Sequence, residues 1–142
     1  MCWLNYMATP IVLKKPLRVY KVGTVSIFCG FISLYRDFRY RESQTMPTVK
    51  INPEFIRCPP IFGSQNELWS YDNFYIYEGY HSYLTKETAK EMVKCSRTKY
   101  DDIGIFEIPS GATIYVNYLY EEVVSTDIRY LGLLEQSKFY SE

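Results

Sequence analysis

The sequence predicts a single α+β domain, a twisted, mainly antiparallel sheet with one principal helix packed on it. Three observations predict it. Several short runs read as strands, among them Leu17 to Val22, Thr113 to Tyr118, which alternates with period two, and Ile103 to Ile108, a run of the fully buried type. One stretch, about Thr85 to Cys95, lacks Gly and Pro and carries Ala89, Met92 and Val93 at helical spacing. The chain has 142 residues and 18% aromatics, enough to bury a real core and too apolar for disorder.

Residues 1–16 read as an N-terminal arm lying across the domain, with a short strand at Ile11 to Leu13 between Pro10 and Pro16. Leu17 to Val22 is a strand. Arg18, Tyr20 and Val22 share one face of it, and Leu17, Val19 and Lys21 the other. Gly23-Thr24 reads as a turn and Val25 to Leu34 as the returning strand, whole or broken at Gly30. Asp37 to Met46 is a polar loop with a possible edge strand. Thr48 to Ile51 is a short strand closed by Pro53. Residues 53–71 hold Pro59-Pro60 and Gly63 to Asn66 and read as an irregular excursion, with a helical turn possible at Gln65 to Trp69.

Asn73 to Tyr80 alternates again. Phe74 and Ile76 suit the core, and Tyr75 and Tyr77 suit a pocket wall. Gly79 then turns the chain. Tyr80, His81, Ser82 and Tyr83 carry it to Thr85, a helix N-cap. Glu87 and Glu91 lie towards the front and middle of the helix and Lys94 at its end, as the helix dipole favours. Pro109-Ser110-Gly111 is a turn between two strands. Glu121 to Val124 and Asp127 to Leu134 supply the last strands, and residues 135–142 form a polar tail that frays.

Charge and cysteines narrow the function. Lys plus Arg and Asp plus Glu are 16 each, so no net field attracts nucleic acid nonspecifically. Arg36, Arg39 and Arg41 interleave with Tyr35, Phe38 and Tyr40. That pattern can hold a base or a phosphate, or be a solvated edge. Cys2, Cys29, Cys58 and Cys95 are dispersed, so no metal site is expected. The reading is of reduced thiols in a cytoplasm, without a secretory leader or a membrane span. No cofactor motif is present.

His81, the lone histidine, reads as a ligand contact or a general base at a strand-to-helix joint, or as a histidine satisfied there by a backbone carbonyl. With Tyr80, Tyr83, Tyr75, Tyr77, Arg18 and Tyr20 it makes a candidate ligand-binding surface. Phenol rings give large contact area at low entropic cost. The expected partner is a small nucleotide-like ligand or a protein. The competing reading is that these rings only cover a small sheet.

Several short motifs together resemble a group of small uncharacterised proteins of gut Bacteroides-type bacteria and their phages. They are Met1-Cys2, Val19 to Val22, Gly79-Tyr80-His81-Ser82-Tyr83, Ile108 to Gly111 and Val124-Ser125. The resemblance implies a phage or mobile-element setting, with a host-interaction or defence-related role in the host cytoplasm. A second reading is an enzyme. The order of Arg18, then Ser82 and Tyr83, then Glu121 or Glu122 is similar to that of ADP-ribosyltransferase-like domains acting on NAD. That resemblance implies Arg18 on phosphates, Tyr83 on nicotinamide, and a glutamate on the ribose and its developing positive charge. The Ser-Thr-Ser pattern of those enzymes is missing here. Glu121 and Glu122 are adjacent, so on a strand only one would enter a site.

Overall fold

A computed structural model describes residues 10–26, 30–33, 39–41, 44–52, 54–58, 71–76, 78–95, 102–118 and 120–134; for 54–58 and 71–75 it gives the backbone. The fold is α+β, a single antiparallel sheet of nine strands with one short helix packed against it. The strands of that sheet are β1 (Ile11–Val12), β2 (Leu17–Ser26), β3 (Gly30–Ser33), β4 (Arg39–Tyr40), β7 (Tyr80–Tyr83), β8 (Asp102–Ile108), β9 (Thr113–Asn117), β10 (Glu122–Ser125) and β11 (Arg129–Leu133). A separate ladder joins β5 (Glu54–Cys58) to β6 (Tyr71–Tyr75). The helix is α1 (Lys86–Cys95).

The sheet is one continuous set of ladders. From β2 the pairing runs through β7, β10 and β9 to β1, and β1 leads straight back into β2. The other edge of β2 carries β8, which pairs with β11. Leu13 ties this corner to the β8–β9 turn. Its N–H donates to Ala112 O at 2.9 Å and its carbonyl accepts from Gly111 N at 2.7 Å. The expected Pro109 to Gly111 turn is there, with Gly111 at φ 87°.

Alternation along each strand sends one set of side chains inward. Val19, Phe31, Tyr40, Tyr80, Phe106, Ile108, Ile114, Val116, Val123, Ile128 and Tyr130 form the core. Phe106 is its centre: Tyr40 meets it edge-on at 4.8 Å between ring centroids, Phe31 at 5.4 Å, and Tyr130 is tilted at 5.0 Å. Edge-on and tilted rings satisfy each other's quadrupoles and fill space that aliphatic chains would leave open. A smaller cluster of Ile76, Tyr115 and Val124, with Ile51 against it, covers part of the outer face.

Five expectations need correction. Gly23-Thr24 is not a turn. β2 runs through it to Ser26, and the connection to β3 falls at 27–29, outside the described residues. Gly23 is needed for close approach: an added Cβ would lie 2.2 Å from Ile32 O and 2.7 Å from the Phe31 ring. Thr48 to Ile51 is irregular chain and not a strand. It is strapped to the sheet by Val49 N to Thr126 O at 2.9 Å and by the Thr48 hydroxyl on Asp127. The 53–71 excursion begins as regular β5; the turn expected at Gln65 to Trp69 lies outside the described residues. The strand expected to end at Gly79 is β6, which stops at Tyr75. Gly79 does bend the chain, at φ 99°, and the strand after it is β7. Finally, Met92 was expected on the apolar stripe of the helix but is 43% exposed; Ala89 is the buried helix residue.

Candidate functional site

β7 is four residues long and lies between two partners. β10 pairs with all of it, and β2 meets it at one position, Tyr20 opposite Tyr83. Directly opposed residues in an antiparallel ladder point to the same side. Tyr20, Tyr83, Glu122 and Asn117 therefore form one row across β2, β7, β10 and β9 on the outer face. Glu122 and Asn117 are buried, while Tyr20 and Tyr83 are half-buried. The Asn117 carboxamide oxygen accepts from Tyr120 N at 3.3 Å and so shapes the β9–β10 turn. Arg18, two residues before Tyr20, is exposed on this same face. It sits opposite Glu107, whose carboxylate takes Arg129 at 3.2 Å.

His81 belongs to the next row of the outer face, opposite Val124, which in turn faces Tyr115. It is 4% exposed. The expectation of a histidine in the joint between strand and helix is thus corrected: His81 belongs to strand β7, and its side chain is covered. Tyr80 and Ser82 point the other way. Tyr80 is a core residue, 1% exposed, and its hydroxyl donates to Pro47 O at 2.5 Å. Burial, with Asp127 adding negative charge nearby, pushes its phenol above the usual range. Tyr40, deeper in the same core, is raised further by burial, then by Tyr80. Ser82 is 3% exposed, and among the described residues its hydroxyl oxygen meets no hydrogen-bond partner. Tyr75 lies in β6, where the backbone alone is described, and Tyr77 and Arg36 lie outside the described residues.

The outer face thus gathers Arg18, Tyr20, His81, Tyr83 and Glu122, and the inner face holds Tyr80 and Ser82. Three contributions had no clear signal in the sequence. Lys21 is a core residue, 3% exposed. Its ammonium donates to the His81 carbonyl and stands over the Tyr40 and Phe106 rings at 5.4 and 5.6 Å. Cation–π attraction and a main-chain acceptor together compensate the desolvated charge. Asn117 anchors one end of the row. Glu121 ties the β9–β10 turn to the helix.

That last link starts at the cap. Thr85 Oγ1 accepts from Thr88 N at 3.2 Å, as expected for an N-cap threonine. The Thr88 hydroxyl donates to the Glu121 carboxylate, and Thr85 Oγ1 lies 3.0 Å from the same carboxylate oxygen. These hydroxyls hold the Glu121 carboxyl below the usual carboxylate range. Glu121 also accepts from Leu84 N at 2.7 Å through its carbonyl, and its φ is 52°, an unusual value for a residue other than glycine.

Helix α1 lies on the outer face, against β2, β8 and β7. Ala89 is buried outside the inner core, as is Val22, which faces outward on β2. The Tyr20–Tyr83 pair belongs to the strands that α1 covers. Among the described residues no group of three His, Cys, Asp or Glu side chains is placed to hold a metal ion, and no helix is long and apolar enough to cross a membrane. Set against known proteins, the chain matches no family model, no curated protein and no solved structure.

Proposed function

We propose that the chain is a non-catalytic binding domain that takes a small nucleotide-like ligand on its outer face. The observation that supports this most is the Tyr20–Tyr83 pair: two half-buried phenol rings opposed across the β2–β7 contact, with exposed Arg18 two residues along. A planar base stacks on such rings, and a guanidinium forks onto a phosphate. Glu122 and Asn117 continue the row with buried polar atoms that can orient a ligand. His81 serves here as a covered neighbour of the row, and Tyr80 as the core residue beneath it.

The enzyme reading is less favoured. Its set of Arg18, Ser82, Tyr83 and Glu122 is divided by the sheet, because Ser82 points inward while the other three point outward. The resemblance of its short motifs to those of small proteins of gut Bacteroides-type bacteria and their phages supports a host-interaction or defence-related setting in a cytoplasm.

A thermal-shift screen with mono-, di- and cyclic dinucleotides tests the reading. A ligand at a hundred times its Kd adds about 2.7 kcal/mol of stability and raises the melting point. The rise should vanish in Arg18→Ala and Tyr20→Ala. Release of nicotinamide from NAD would instead favour the enzyme. No shift with any nucleotide would count against the ligand class, and no binding in a direct titration would rule it out.

A further inference from the structure

We infer that α1 is a latched lid over the Tyr20–Tyr83 face, and that Glu121 is the latch. This rests on the reading of that face as the ligand face. The helix is fastened lightly. Ala89 is the helix residue that is fully buried, and Lys86, Glu87, Lys90, Glu91, Met92, Lys94 and Cys95 are exposed. Its front end is held from outside the helix. The Thr88 hydroxyl donates to Glu121, Thr85 Oγ1 lies beside the same carboxylate, and Leu84 N donates to the Glu121 carbonyl.

The geometry places the latch at the hinge. Tyr83 ends β7, Thr85 caps α1, and Leu84 alone lies between them. Glu122, next to the latch, stands opposite Tyr83. The same turn therefore sets the position of the helix front and the edge of the ligand row. A left-handed backbone at a glutamate costs free energy and persists only where its surroundings demand it. Here Glu121 closes the β9–β10 turn, and that turn carries its carboxylate to the first turn of α1. When those hydroxyl contacts break, the front of the helix lifts and the two rings open to solvent, while the strands keep their own hydrogen bonds.

Two variants test this by hydrogen exchange and by tetranitromethane nitration read peptide by peptide. Glu121→Asn keeps a residue that tolerates positive φ but is too short to reach the threonines. Thr88→Val removes the hydroxyl from the other side. In both, amides in the front half of α1 should exchange about tenfold faster, as expected for a lost cap opening locally. Nitration of Tyr20 and Tyr83 should rise, with exposed Tyr118 and Tyr120 reacting as in the unaltered protein. Exchange in β8 and β9 should stay unchanged. Unaltered α1 exchange in both variants would overturn the latch. So would equal acceleration in β8 and β9, which would make the contact an ordinary stabiliser of the whole domain. Neither readout uses a ligand, so failure of the nucleotide screen leaves the latch standing.

Discussion

Tyr20 of β2 and Tyr83 of β7 form the sole register pair between those two strands. On one side of that pair lie β8, β11, β3 and β4, all reached through β2. On the other lie β10, β9 and β1, reached through β7. The rings proposed to meet a ligand are thus also the seam of the sheet. Tyr83→Ala should lower unfolding stability by about 1–2 kcal/mol in urea titrations, the scale of a cross-strand pair plus partial burial. Tyr83→Phe should keep most of it, because the ring is retained.

Gly23 gives a sharper test of packing. Gly23→Ala pushes a methyl into Ile32 O and the Phe31 ring and should cost about 1–3 kcal/mol or more. Gly111→Ala meets nothing within 4 Å, so its cost is the positive φ alone, about 1 kcal/mol. If Gly23 were an ordinary turn glycine, the two substitutions would cost the same in denaturant titrations.

The acid limb of stability should carry the mark of Glu121. Its carboxyl is held below its ordinary value of 4.5 by the Thr88 and Thr85 hydroxyls. A group depressed on folding contributes above its unfolded pKa and loses that contribution as pH falls through the folded one. Protection of α1 amides should therefore hold at pH 5 and above and weaken in the window below 4.5. Glu121→Asn should abolish that window, and a pH series of hydrogen exchange reads it directly.

The alkaline limb should carry the mark of Tyr40 and Tyr80. Burial raises both phenols, so their contribution is complete below pH 10 and is lost as pH rises towards their folded values. Absorbance at the phenolate band should show the two core phenols ionising only together with unfolding. Ionisation of Tyr40 in the folded protein would contradict its place in the core.

Much of this architecture is legible in the chain, for local reasons. β8 is a short apolar run of the buried type and β9 a clean alternation, with a proline–glycine turn between them, and Thr85 announces the helix. Gly23 is not legible, because a glycine that makes a turn and one that lets a ring approach look alike in sequence. β7 is hidden for a related reason: four residues after a corner glycine are too few to show a period, and pairing with distant β10 makes them a strand. The outer face is half legible. Arg18 and Tyr20 share a side by period two, whereas the meeting of Tyr20, Tyr83, Glu122 and Asn117 is a matter of register between segments up to about a hundred residues apart. Lys21 is invisible for a different reason. Nothing local distinguishes a lysine whose ammonium finds a carbonyl and two rings in the core from one that reaches solvent.

The most direct measurement is an amide-resolved NMR titration with the nucleotides that shift the melting point, or with the full nucleotide panel if none does. A ligand seated on the outer face should perturb Arg18, Tyr20, Tyr83 and Glu122 together and saturate with one affinity, and Arg18→Ala should weaken it at least tenfold. Perturbations confined to other faces of the domain, or none at millimolar nucleotide, would contradict it.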